Sequence, residues 1–118
     1  CLDRDAMTIL FGYPACMAAL AKIDARDPRR ALRFEVFVGN LELGNAFQEL
    51  TDAEEQRRRF EADLALRRRL GMPEYPIDEL LLRDLPHIAE AAGIAIGLDR
   101  LLMTCLGYDD LRSVVFAS

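Results

Sequence analysis

Arg33-Phe34-Glu35-Val36-Phe37-Val38-Gly39-Asn40-Leu41-Glu42-Leu43-Gly44-Asn45-Ala46-Phe47-Gln48-Glu49-Leu50-Thr51-Asp52 is the stretch on which the reading of this 118-residue chain turns. From Leu32 to Val38 the residues alternate, with Phe34, Val36 and Val38 on one side and Arg33, Glu35 and Phe37 on the other. That period of two is the signature of a strand. Gly39-Asn40 marks a tight turn, because both residues tolerate positive φ. Leu41 to Leu50 then returns as the second arm of a hairpin. Thr51 or Asp52 caps a following helix, with Glu54 or Glu55 at the capping-box position.

Outward from the hairpin, the pattern is one of strands with helices set between them. The capped helix runs from about Ala53 to Leu70, with Phe60 and Leu64 on its buried stripe. Arg67 to Arg69 lie near its C-terminal dipole, and Gly71 and Pro73 stop it. Residues 7–11 read as a short strand ended by Gly12 and Pro14. Residues 15–23 fit a strand end or a helical turn, and residues 77–91 a short helix and connector. Ile94 to Gly97 reads as a buried strand, Leu98 to Leu106 as an apolar helix closed by Gly107, and Val114 to Phe116 as a last short strand. The fold class is α+β: part of an antiparallel sheet, gapped, with flanking helices.

Composition sets bounds. The length suits one domain, and 52% hydrophobic with 30% charged residues is ordinary for a globular one. The longest apolar runs fall short of the roughly 18 residues a membrane span needs, and no basic-then-apolar leader is present, so a cytoplasmic protein without membrane partners is expected. A formal charge of −5 disfavours an extended nucleic-acid surface. Cys1, Cys16 and Cys105 are odd in number and lack metal-ligand spacing, which predicts reduced packing residues. A chain that begins at Cys1 rather than Met suggests a processed product or a piece of a longer protein.

Three groupings can carry chemistry. Glu35 and Glu42 flank the hairpin turn, and two carboxylates facing one space can hold Mg²⁺ and bridge it to phosphate oxygens. The same spacing also suits two solvated residues on a sheet face. Asn45, Phe47 and Glu49 share one face of a strand. An aromatic wall between an amide and a carboxylate can receive a lysine-like side chain, and a half-exposed strand with one buried Phe fits equally. Arg100, just after Gly97 and Leu98, can offer its rigid fork to a phosphate, or can pair with Asp99. Gly97 would let a planar base approach the backbone. His87 reads as surface or structural. Arg57 to Arg59 and Arg67 to Arg69, interspersed with Glu54, Glu55, Glu61 and Asp63, read as a solvated helix.

Strand parity creates a conflict. A two-residue turn at Gly39-Asn40 puts Glu35 and Glu42 on one face, and Asn45 and Glu49 on the other. A single site for all four needs either a three-residue loop or a bulge, whose expected place is Gly44.

In this order and spacing, Arg33-Phe34-Glu35-Val36-Phe37 followed by Glu42 to Asp52 resembles the lysyl-tRNA synthetase branch of the class II aminoacyl-tRNA synthetases. Gly93 to Met103 is similar to their motif 3, and the likeness extends from about Tyr13 to Phe116. Two details resemble the family of elongation factor P (R)-β-lysine ligases, paralogues without an anticodon domain. One is Tyr13-Pro14-Ala15-Cys16-Met17-Ala18-Ala19-Leu20-Ala21. The other is Ala95, where lysyl-tRNA synthetases usually carry Gly. Cys16, Met17 and Gln48 depart from that family's pattern, which bears on amino-acid specificity rather than on adenylate chemistry.

The resemblance implies ATP and Mg²⁺ as cofactors. Glu35 and Glu42 would be the metal and ATP ligands, Gly97 an ATP contact, and Arg100 the arginine on the γ-phosphate, with Arg100 and Glu42 as catalytic groups. Asn45, Phe47, Glu49 and Ala95 would form the substrate pocket, with Glu49 facing the ε-ammonium. The implied reaction activates lysine or (R)-β-lysine as an adenylate and passes it to a lysine of elongation factor P. The alternatives are a lysyl-tRNA synthetase core acting on tRNA, or a non-catalytic binding or dimerisation module. Residues 1–118 would be the C-terminal portion of the catalytic domain, carrying motif 3 at 93–103 but neither motif 1 nor motif 2. The parent would be a homodimeric ligase, and this piece alone would turn over poorly or not at all.

Overall fold

In the computed structural model, residues 6–115 are described. Four strands form one antiparallel sheet in sequence order: β1 (Met7–Phe11), β2 (Arg33–Val38), β3 (Leu41–Gln48) and β4 (Ala92–Ile96). Three α-helices follow or interrupt them: α1 (Ala53–Arg69), α2 (Glu79–Asp84) and α3 (Leu98–Leu106). The α+β expectation therefore holds, although the sheet runs through its four strands without a gap.

The hairpin decides the layout. Gly39 takes φ +56, and the pairing begins as a two-residue turn requires, with Val38 opposite Leu41 and Phe37 opposite Glu42. The register then slips: Val36 lies opposite Gly44, so Leu43 is an extra residue on β3. A bulge of this kind turns every later side chain of its strand to the other face. From Gly44 onward, Asn45 opposes Glu35 and Phe47 opposes Arg33, and across the other edge of β3 Asn45 opposes Ala95 and Phe47 opposes Gly93.

The small core lies at one end of the same face. Ala18, Ala21 and Ala31 are buried, with Tyr13, Ile23 and Phe47 packed against them. Backbone bonds tie this segment to the sheet, from Lys22 N–H to the Gln48 carbonyl (2.8 Å) and from Leu50 N–H to the Leu20 carbonyl (3.0 Å). Arg59 of α1 adds two more, donating to the Ala19 and Ala21 carbonyls at 2.9 and 2.8 Å.

Several local expectations are corrected. Asp52 is the N-cap of α1, accepting from the Glu54 and Glu55 amides at 3.0 Å, but the capping box does not close. Arg58 and Arg59 instead take the Glu55 carboxylate, and the Arg59 hydrogen bond holds it below its ordinary pKa. Phe60 and Leu64 are only half-buried, and the buried residue of α1 is Gln56. β4 is an exposed edge rather than a buried strand, because it pairs on one side only and all five of its residues remain accessible. Gly97 stands outside it as the N-cap of α3, which ends at Gly107 with φ +70. Residues 15–17 form a single 3₁₀ turn. Val114 and Val115 continue a 3₁₀ turn over Leu111–Ser113 instead of a strand, and Phe116 lies outside the described residues. Cys16 and Cys105 are free as expected, but both are exposed and so pack nothing, while Cys1 lies outside the described residues.

Candidate functional site

The bulge resolves the parity conflict. Glu35, Glu42, Asn45 and Phe47 lie on one face of the β2–β3 ribbon, and Gly93 and Ala95 continue that face onto β4. Glu49 follows one step beyond β3, its amide bonded to the Ala91 carbonyl at 2.9 Å. Its carboxylate lies over Gly93, where a Cβ would stand 3.2 Å from Glu49 Oε1. A side chain at position 93 would therefore push the carboxylate off β4.

Arg100 meets the hairpin end of β3 from the first turn of α3. Its Nη1 donates to the Glu42 carbonyl at 2.9 Å, so it lies on the hairpin rather than on Asp99. Gly97 makes room for it, since a Cβ there would meet Arg100 Cδ at 3.3 Å.

Two residues that the sequence did not single out complete the face. Arg33 donates through Nη1 to the Met17 carbonyl (2.8 Å), through Nε to Asn45 Oδ1 (3.3 Å), and through Nη2 to Glu35 Oε1. Its guanidinium also lies 4.5 Å from the ring centre of Tyr13 and 5.5 Å from that of Phe47. Tyr13 in turn donates to Glu35 Oε2 at 2.5 Å. Burial and that hydrogen bond push the Tyr13 phenol up to about 12, with a further rise from the negative charge of Glu42. Tyr13 thus bonds directly to one of the two carboxylates on this face. Arg33 was legible as a neighbour, since alternation put it on the side of Glu35. Tyr13 is 22 positions away, and no spacing rule reaches that far.

A divalent cation can be tested against these donors. Among the described residues no group of three or more His, Cys, Asp or Glu gathers around one point, so the chain builds no complete cage. Mg²⁺ needs none: it is held by one or two carboxylates together with phosphates and waters. Glu35 spends one lone pair of each oxygen on Arg33 and Tyr13 and keeps the others, while the Glu42 side chain has no hydrogen-bond or ion-pair partner among the described residues. The donor set fits a metal carried in with a phosphate, and does not fit a metal held by protein alone.

Most arginines of α1 are ion-paired. Arg57 pairs with Glu79, Arg58 and Arg59 with Glu55, Arg67 with Asp63, and Arg68 with Glu74. This supports a solvated, ion-paired helix rather than a basic strip. His87 is exposed at the end of the 3₁₀ turn Leu85–His87. No described helix is long and apolar enough to cross a membrane.

The sequence matches the family of class II tRNA synthetases (D, K and N) over residues 3–117. It is 46% identical over 115 residues to the elongation factor P–(R)-β-lysine ligase of Pectobacterium carotovorum, covering 97% of this chain and 35% of that protein. The ligases of the same name from Proteus mirabilis and Avibacterium paragallinarum are 47% and 44% identical over 92% and 97% of the chain, and 34% and 36% of their own lengths. The chain thus spans about a third of the length of the curated relatives it matches. A match that runs through every strand and helix of the site assigns the chain to the class II tRNA synthetase family.

Proposed function

We propose that this chain is the C-terminal part of the catalytic domain of an ATP-dependent ligase. The whole protein, a homodimer, activates a lysine-type amino acid, (R)-β-lysine in the first instance, and transfers it to a lysine of elongation factor P. One observation carries the reading: a single-residue bulge brings Glu35, Glu42, Asn45 and Phe47 to one face of the ribbon whose backbone Arg100 bonds at Glu42. The names of relatives more than 40% identical support the choice of substrate and acceptor.

In this reading Glu49 receives the ε-ammonium, a charge-assisted contact that an uncharged side chain cannot replace. Phe47 packs along the alkyl stem, Asn45 orients the backbone end of the amino acid, and the Ala95 methyl narrows the pocket. One methyl at such a wall discriminates between isomers by about 1–3 kcal/mol. Glu35 and Glu42 hold Mg²⁺ with the nucleotide, and Gly97 leaves space for the base. When bound, the metal offsets negative charge on the phosphates. Arg100 supplies a second positive charge at the γ-phosphate, already aimed by its bond to the hairpin.

The substrate carboxylate attacks the α-phosphate in line, forming a C–O–P link as the bond to pyrophosphate breaks. The acceptor amine then takes the acyl group, and AMP leaves. Because the segments that grip the α-phosphate belong to the rest of the catalytic domain, the chain alone turns over poorly or not at all.

ATP–pyrophosphate exchange on the full-length protein tests the reading. Exchange dependent on (R)-β-lysine, and weaker with α-lysine, is expected; no exchange with either would end it. Glu49→Ala should abolish amino-acid dependence while leaving the melting temperature near that of the parent. Lysine selectivity retained in that variant would refute the role of Glu49.

A further inference from the structure

We propose that Arg33 is the positioning residue of this site: its one guanidinium fixes the carboxylate of Glu35, the amide of Asn45 and the two aromatic walls in a single arrangement. The inference rests on the ligase reading for what the site does, and on geometry alone for what Arg33 does.

Arg33 and Glu35 stand two apart on β2, with side chains only 14% and 12% exposed. A pair so far from water is costly to desolvate unless further hydrogen bonds satisfy it. Here they do: the fork reaches Glu35, Asn45 and the Met17 carbonyl, and its flat faces lie near Tyr13 and Phe47. Lysine cannot reproduce this, since an ammonium is a point charge without a planar fork.

The arrangement has a chemical consequence at Asn45. A guanidinium has donors only, so the amide must turn its oxygen toward Arg33. The Asn45 NH₂ is then presented to the open face as a donor, suited to a carboxylate or phosphate oxygen of a bound ligand. A freely rotating amide would offer donor and acceptor alike. Arg33 thereby selects which end of Asn45 the ligand meets, without touching the ligand. The Met17 contact also ties the 13–31 segment, and with it Tyr13, to the floor of the site.

The test uses Arg33→Lys in the full-length protein, which keeps the charge and is expected to fold. Amino-acid kcat/KM in exchange should fall by roughly 10–100-fold, the usual cost of losing a supporting contact behind a ligand. Arg33→Lys should cost measurably less in an Asn45→Ala background than in the parent, because the part of its effect that passes through the amide is already gone. Independent and multiplicative losses would overturn the proposal, as would an Arg33→Lys enzyme with parental kcat/KM. A second measurement does not depend on activity. In [¹⁵N]asparagine-labelled protein, the Asn45 side-chain NH₂ pair, identified by its loss in Asn45→Asp, should move and broaden in Arg33→Lys. An unmoved pair would overturn the proposal whether or not the enzyme exchanges. Absence of exchange in the parent protein would end the ligase reading and leave this spectrum to judge Arg33.

Discussion

Within the described residues the two faces of the sheet are unequally covered. The face bearing Arg33, Glu35, Asn45 and Phe47 is the better protected one: Glu35 is 9% exposed, and the alanine core packs beside Phe47. The opposite face carries Ile9, Phe11, Phe34, Ile94 and Ile96, yet these are 37–79% exposed. A cleft of about 700 Å³ opens chiefly on that apolar side, lined by Phe11, Phe34, Ala46 and Ile94 among others. Within the described residues, then, the alanine core and the groups of the proposed site share one side of the sheet. Phe47 belongs to both, as a wall of the site and a neighbour of the core. Packing and the proposed chemistry meet there, whereas the opposite face is mostly exposed within the described residues.

Paired truncations give the largest expected contrast. Phe47→Ala should lower the free energy of unfolding by about 2–3 kcal/mol, toward the lower end of buried aromatic truncations because Phe47 is only half-buried. Phe34→Ala, on the exposed face, should cost less than about 1 kcal/mol. Urea denaturation of both variants measures the difference. Equal losses would mean that the apolar face is packed in solution and would remove the contrast.

A smaller effect sharpens it through pH. Burial and the Glu35 hydrogen bond push the Tyr13 phenol up from 10.0 to about 12. A raised folded pKa means that its contribution to stability is whole below pH 10 and is lost as pH rises toward 12. Stability should therefore decline across that window, and Tyr13→Phe should remove the part of the decline that Tyr13 supplies. A variant with an unchanged alkaline profile would show that the Tyr13–Glu35 bond is not held in solution.

Much of this was readable before any coordinates. Period-two alternation and Gly39-Asn40 located the β2–β3 hairpin, and Asp52 located the start of α1, because these are local effects of backbone and cap chemistry. The need for a bulge near Gly44 followed from parity. What escaped was long-range. Tyr13 reaches Glu35 only through a folded loop, and Glu55 chose Arg59 over its cap because an arginine stood one helical turn away. β4 looked buried because its residues are apolar, and sequence cannot say which apolar strand has a cover. Phe60 and Leu64 misled for the same reason.

In the proposed reading, the bulge makes one site out of residues that a regular hairpin would separate. A crystal structure of the full-length protein with ATP, Mn²⁺ in place of Mg²⁺, and (R)-β-lysine tests it most directly. An anomalous peak bonded to the carboxylates of Glu35 and Glu42 is expected, with the amino-acid ammonium at Glu49 on that same face. A metal bound away from both carboxylates, or an amino acid on the Phe34–Ile94 side, would contradict it.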